Sequence, residues 1–318
     1  MGDGPLASID IGTNTFRLLI GEVHQGPDGY TIREIHSERV ITRLGEGVSG
    51  GNILTDEGIR QGIKTLKDFS RAIREHNVSS VLAIGTSALR EAENRDTFIR
   101  KAEEEAGIEV EIATEEEEAR LTASGMTMDI PLSGPALLID IGGGSTEFIF
   151  MDDGRISCIK SIKLGVIYMT DRFMRHDPPT ESELKGMEGE VMRRLEETKE
   201  VRQLTTGGSM LVGTAGTITT LSAMLQGLDS HSHERIHKST LFIDSINKIY
   251  NEIAVLSMKE RAEIYPVLLD RRMDIIVPGV LILKSIMATF GFKEIIVSDY
   301  GLREGIIIEL FKRVRGWS

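Results

Sequence analysis

Apolar positions along the chain fall into runs that repeat. ASIDIGTNTFRLLI (7–20) and LLIDIGGGSTEFIF (137–150) each read as a short apolar run, Asp-Ile-Gly, a turn of small residues ending in Ser or Thr, and a second apolar run. Short apolar runs bounded by turn residues predict buried strands, so each word predicts a β-hairpin. After the first hairpin come a third apolar segment (TIREIHSERVITRLG), a helical periodicity over about 55–75, and a buried strand in SSVLAIGTSALREA. After the second come RISCIKSIKLGV, a helix opened by the capping box Thr180-Glu181-Ser182-Glu183 behind two prolines, and the strand SMLVGTAGTITTL. AIGTSA and LVGTAG are nearly the same word. Each half closes on a further strand and helix, VEIATEEEEARLTASG in one and KEIIVSDYGLREGIIIELF in the other.

Both halves therefore read strand-strand-strand-helix-strand-helix-strand-helix, which predicts an α/β fold of two duplicated domains, each a mixed five-stranded sheet flanked by helices. The expected domains are 1–125 and 126–302. A helical insertion is expected over 224–292, with IDSINKIYNEIAVL and VPGVLILKSIMATF as its apolar stripes. A C-terminal helix at about 303–318 is expected to pack back on the first domain. The crossing SGMTMDIPLSG, with Gly125, Pro131 and Gly134, suits a hinge.

Composition agrees with two domains: 318 residues, 40% of them hydrophobic, can bury two ordinary cores. The single Cys158 excludes an internal disulfide framework and suits a reducing compartment. No apolar stretch approaches the length of a membrane span, and MGDGPLASID lacks the basic and hydrophobic regions of a signal peptide, so a cytoplasmic protein is expected. The formal net charge of -12 argues against general binding to nucleic acid or anionic membrane. An anionic ligand must then be met by a local cluster.

Two matching domains packed face to face would bring the two glycine hairpins to opposite walls of a cleft. Their backbone N–H groups, at Gly12, Thr13 and Asn14 and again at Gly142, Gly143 and Gly144, suit phosphate, and Ser145 and Thr146 add hydroxyls. Asp140 and Glu147 flank the second turn. An anion cradle between two carboxylates makes sense with a divalent cation, most naturally Mg2+. For a lone word of this kind an ordinary tight hairpin is the alternative. It is neither a Walker A loop, since no Lys follows, nor a Rossmann fingerprint, since a strand comes next. Duplication favours the functional reading, as does GTAGTITTL (213–221), where Gly213, Thr214, Gly216 and Thr217 open a helix whose N-terminus suits phosphate. SDYGLREG (298–305) reads equally well as a strand-to-helix turn. The acidic run TEEEEARL offers general-base candidates, but Thr114 as N-cap with Glu117 at the capping-box position explains the run equally, and periodicity leaves Glu115, Glu116, Glu117 and Glu118 undistinguished.

Taken in order, DIGTNTFRLLI, AIGTSALREAEN, EEEEARL, DIGGGSTEF, GTAGTITTL, RRMDIIVPG and DYGLREG resemble the exopolyphosphatase and guanosine pentaphosphate phosphohydrolase (Ppx/GppA) family, which has the actin-like, ribonuclease H-like fold. The resemblance covers nearly the whole chain and matches the family's short, two-domain form. It implies release of a terminal phosphate from inorganic polyphosphate, or from pppGpp to give ppGpp, with Mg2+ or another divalent cation. It implies Glu118, directly before the Ala-Arg pair, as the catalytic base, with Glu117 as runner-up, and Asp140 and Glu147 as metal ligands. It implies Arg17 and Arg90 as phosphate-binding residues, a task for which a planar guanidinium is suited; surface salt bridges are the alternative.

Thr15 and Glu91 stand where the family usually has Ser and Asp. Lys238 follows His237 where Gly is usual, which bears on substrate detail. Zinc binding by His231, His233 and His237 is disfavoured, because the segment has no Cys and a polar loop explains it. Two other classes stand beside the hydrolase. A kinase of the same fold predicts an adenosine pocket and an acceptor-activating Asp, and a non-catalytic actin-type assembly protein predicts filaments. No nucleic-acid or membrane partner is expected, and a homodimer is left open.

Overall fold

The computed structural model describes residues 4–26, 29–46, 52–269 and 272–317. The chain divides into two compact units, Met1–Asp129 with Tyr300–Ser318, and Ile130–Asp299.

In the first unit the apolar runs pair as read. Strands β1 (Leu6–Ile11) and β2 (Thr15–Gly26) form an antiparallel hairpin with Asp10 opposite Arg17 and Ile11 opposite Phe16. β3 (Gly29–Ile41) adds antiparallel to β2. Helix α1 (Asp56–Glu75) starts where the Thr55 hydroxyl accepts from the Gly58 N–H, and Ile59, Ile63, Leu66 and Phe69 form its buried stripe. β4 (Ser80–Gly85) lies parallel to β1. After α2 (Ser87–Glu91) and α3 (Arg95–Lys101), the short β5 (Val110–Ile112) lies parallel to β4 and leads into α4 (Glu115–Met126). The sheet order is β3-β2-β1-β4-β5.

The second unit repeats this plan. β6 (Ala136–Ile141), β7 (Thr146–Asp152) and β8 (Arg155–Ile162) are an antiparallel meander. Helices α5 (Val166–Phe173), α6 (Glu181–Leu195) and α7 (Lys199–Leu204) lead to β9 (Met210–Thr214), parallel to β6, and then to α8 (Ala215–Leu225). The insertion supplies α9 (His233–Ile236), β10 (Thr240–Phe242), α10 (Ile243–Ile253), α11 (Met258–Ile264) and α12 (Ile276–Phe290) before β11 (Glu294–Val297). The order β10-β11-β9-β6-β7-β8 is that of the first sheet with one strand added at its edge. The second sheet is thus six-stranded rather than five-stranded. β10 is three residues long and pairs antiparallel with β11, too short to leave an alternation that reads as a strand. Both units share one sheet plan.

The last helix, α13 (Leu302–Arg315), belongs to the first unit. Strand alternation explains why this unit needs helices on both faces. Ala7, Ile9 and Ile11 point to the α1 side, whereas Leu6 and Leu19 pack with Ile306, Ile307, Leu310 and Phe311 of α13. Burial of each such apolar side chain stabilises by roughly 1.5–3 kcal/mol. Asp10 and Arg17 share the α13 face with Leu6 and Leu19. Among the described residues, no helix is long and apolar enough to cross a membrane.

Candidate active site

The two hairpin turns are built alike. In the first, the Gly12 N–H donates to the Thr15 carbonyl (3.1 Å), the Thr13 carbonyl accepts from Gly45 N (2.9 Å), and the Asn14 carbonyl accepts from Thr42 N and Arg43 N (3.0 Å each). In the second, the Gly142 N–H donates to Ser145 O (3.0 Å), and the Gly142 and Gly143 carbonyls accept from Val166 N (3.0 Å) and Ile167 N (2.9 Å), the first N–H groups of α5. In a trans peptide the C=O and the following N–H point in opposite directions. The carbonyls are directed at α5, so the N–H groups of Gly143 and Gly144 face away from it, and those of Asn14 and Thr15 face away from 42–45. Each turn presents amide hydrogens on its open side, the arrangement an anion needs. Gly165 makes the second turn possible, because a Cβ there would overlap the Gly143 carbonyl.

Register then separates the two hairpins. Asp10 faces Arg17 across β1 and β2, and Asp140 faces Glu147 across β6 and β7, each as the residue pair one step inside its turn. Arg17 Nη1 lies 2.7 Å from Asp10 Oδ2. Asp10 is almost fully buried, and burial pushes its carboxyl up, partly offset by the Arg17 charge and hydrogen bond. At the equivalent place in the second unit stand two carboxylates. Glu147 is 4% exposed and accepts from the Ser161 hydroxyl at 2.9 Å. Thr146 is fully buried and its hydroxyl donates to the Leu164 carbonyl, so its proton serves the fold.

Arg90, in the last turn of α2, donates from Nη1 to the Ala113 carbonyl (3.0 Å) and to Glu118 Oε2 (2.8 Å). Three of the four consecutive glutamates have distinct duties. The Glu117 carboxylate closes the capping box, accepting from Thr114 N (2.8 Å), and that bond lowers its pKa. Glu116 pairs with Arg120 on the surface. Glu118 turns inward to Arg90, with 12% of its side chain exposed.

The paired Gly-Thr loops also match. Gly85 O accepts from Ala113 N (3.0 Å), and Gly213 O accepts from Ser298 N (2.8 Å). A Cβ at Gly85 would press on Leu89 Cδ1, and one at Gly213 on Ile218 Cδ1, at 2.6 Å in both cases. Both glycines let the following helix pack over the strand end. Thr214 and Thr217 are buried, and Ala215, with φ +73°, starts α8 in the left-handed region. The Arg272 guanidinium lies against Gly216, where a Cβ would overlap it. Arg272 lies in RRMDIIVPG, where residue type and spacing alone give it no role. Its neighbour Arg271 is outside the described residues.

His231 Nε2 and His233 Nδ1 lie 3.0 and 2.8 Å from Asp299 Oδ2, and the Asp299 N–H donates to His237 Nδ1 at 3.2 Å. Burial raises the Asp299 carboxyl, but the two histidines more than offset it and hold the group below the usual carboxylate range. The histidine segment thus serves to hold Asp299. Among the described residues, no group of three or more His, Cys, Asp or Glu side chains is arranged to hold a metal ion.

Comparison with known proteins accords with these motifs. Residues 21–314 match the profile of the Ppx/GppA phosphatase family. The chain is 30% identical over 315 residues to Exopolyphosphatase 2 of Mycobacterium tuberculosis, covering 96% of this chain and 98% of that one. It is 27% identical to the guanosine-5'-triphosphate,3'-diphosphate pyrophosphatase of Vibrio vulnificus, covering 99% of this chain and 61% of that one. The crystal structure of the Aquifex aeolicus Ppx/GppA family member superposes with a TM-score of 0.81 at 30% identity, covering 98% of each chain. The chain belongs to the Ppx/GppA phosphatase family.

Proposed function

We propose that this protein hydrolyses the terminal phosphoanhydride bond of inorganic polyphosphate or of pppGpp, with Glu118 as general base. The observation that carries the reading is the division of labour in the acidic run. Glu117 is committed to the helix cap, while Glu118 is largely buried and paired with Arg90. A base must be fixed near the reacting water, and a phosphoryl group needs positive charge on its equatorial oxygens. Glu118 and Arg90, 2.8 Å apart, supply one of each.

The steps follow from these groups. Phosphate oxygens compete with Glu118 for Arg90, and Glu118 accepts a proton from the attacking water. The water oxygen bonds to the terminal phosphorus as the bridging P–O bond breaks, and the leaving chain or ppGpp departs with the bridging oxygen. Arg17, held by Asp10 in the resting protein, supplies a second guanidinium. Burial raises the Asp10 pKa, and Arg17 is the group that chiefly offsets it. The amide hydrogens on the open side of each turn are donors suited to phosphate oxygens, and in the second unit the Ser145 hydroxyl adds one more.

Asp140 and Glu147 fit a divalent cation: two hard oxygen donors sit cross-strand on one sheet face, one of them nearly buried. Bound there, Mg2+ would neutralise charge on the phosphate oxygens. With only two protein carboxylates, water and substrate would complete its shell. Cytoplasmic residence fits the single Cys158. The kinase and the non-catalytic assembly readings are not favoured by family membership. Phosphate release from polyphosphate, pppGpp and ATP, each with magnesium and no acceptor, tests the proposal. Release from neither of the first two overturns it.

A further inference from the structure

The helix that carries Glu118 rests on α13 through bare backbone. A Cβ at Gly305 would overlap the Leu121 carbonyl, and a Cβ at Gly125 would overlap the Gly301 carbonyl and stand 2.9 Å from Gly305 N. Each glycine therefore touches the main chain of the opposite helix, and Leu121 is less than one turn beyond Glu118. Carbonyl oxygens cannot rotate aside as a side chain can. A methyl at either glycine must drive α4 and α13 apart by on the order of 1 Å, since non-bonded heavy atoms rest at roughly 3.5–4 Å.

The other members of this contact are fixed. α13 is tied to the sheet at its first turn, where the Ser8 hydroxyl on β1 donates to the Arg303 carbonyl at 2.8 Å, and its own start is capped by the Gly301 N–H donating to the buried Glu304 carboxylate at 2.9 Å. Farther along, Ile306, Ile307 and Leu310 anchor it in the core. Arg90 is fixed at the opposite side by the Ala113 carbonyl, and Ala113 in turn donates to Gly85 at the end of β4. α4 is therefore the part that must adjust, and its movement changes the separation of Glu118 from Arg90.

From this geometry we infer that Gly125 and Gly305 are positioning residues for the reaction: their backbone contact sets the height of α4 and so holds the Glu118 carboxylate at its distance from Arg90. The inference rests on the reading of Glu118 as the base. It assigns to the DYGLREG motif a role in the chemistry of EEEEARL, from which it is almost two hundred residues distant in sequence. A displacement of about 1 Å at a reacting group can cost on the order of 100-fold in rate.

The test is steady-state phosphate release by full-length Gly305→Ala and Gly125→Ala proteins, at a temperature where circular dichroism shows each fully folded. The expected result is a kcat lower by roughly 10- to 100-fold with KM within about twofold, because the base moves while the substrate contacts stay. A glycine with a merely structural role would lower the melting temperature and leave kcat of the folded protein intact, and that result overturns the inference. A rise in KM at constant kcat overturns it as well. If neither alanine variant folds, Ser8→Ala decides, since it loosens the first turn of α13 without adding an atom; a several-fold fall in kcat at constant KM supports the inference and an unchanged kcat overturns it. Glu118→Gln run in parallel separates the two levels of argument. Normal turnover there removes the base assignment itself, whereas an inactive Glu118→Gln beside fully active glycine variants removes only the positioning role.

Discussion

Arg90 and Glu118 form an ion pair of 2.8 Å in which both side chains are mostly shielded from water, at 19% and 12% exposure. Such a pair keeps a carboxylate aimed, and it gives way when a more highly charged anion approaches the guanidinium. Glu118→Gln keeps the size and one hydrogen bond to Arg90 but cannot take a proton. Turnover of this variant is expected to fall by about two to four orders of magnitude with the thermal melt little changed. Normal turnover in Glu118→Gln together with loss in Glu117→Gln would move the base by one residue.

Magnesium dependence follows from the cross-strand carboxylates. Chelator should abolish phosphate release and added magnesium restore it, and Asp140→Asn and Glu147→Gln should each raise the magnesium concentration giving half-maximal rate. Ser161→Ala, which removes the hydrogen bond that orients Glu147, should raise it by roughly 10-fold. Full activity in excess chelator would contradict this.

Acid should soften the support of the second phosphate turn. Hydrogen bonds from Arg193, against the upward push of burial and with help from Arg194 and Tyr168, hold the Glu190 carboxyl down at about 2. Tyr168 belongs to α5, the helix that carries the turn. A carboxyl with a depressed folded-state pKa contributes stability above its unfolded value and loses it as pH falls toward the folded one. The contribution is thus complete above about pH 4.5 and gone near pH 2. Glu190→Gln should be less stable at pH 7 by about 1–3 kcal/mol, and the difference should vanish by pH 2. Denaturant melts across that range provide the check, and a constant difference would count against the assignment.

Gly165→Ala tests the turn directly. The added methyl meets the Gly143 carbonyl, so α5 must retreat and the amide hydrogens lose their aim. A stability loss of about 1–3 kcal/mol is expected, with KM for polyphosphate raised more than kcat is lowered. The opposite split, a fall in kcat at unchanged KM, would show that the turn does not bind ground-state substrate.

Much of this was legible in sequence because it rests on local rules. The duplicated Asp-Ile-Gly words imply paired strands, and the register of their hairpins follows from the shared turn length. The capping boxes at Thr114 and Thr180 are found where residue type and spacing put them. What escaped depends on side-chain contacts that residue type and spacing leave open. Arg17 is bound to Asp10, a pairing that periodicity does not specify. Thr146 points into the core because strand β7 already begins there. Arg272 reaches Gly216 across 56 positions, and only the missing Cβ of the GTAG word hinted at a neighbour.

One position in the repeat separates the two copies by charge. Opposite the repeated aspartate, one copy has Arg17 and the other Glu147. A tandem of the first copy would carry two arginine hairpins and no carboxylate pair; a tandem of the second would have the reverse. The two copies are therefore not interchangeable in charge at this position. Formally the Asp10–Arg17 pair sums to zero and the Asp140–Glu147 pair to two negative charges, so exchanging one hairpin for the other would change the charge of its unit.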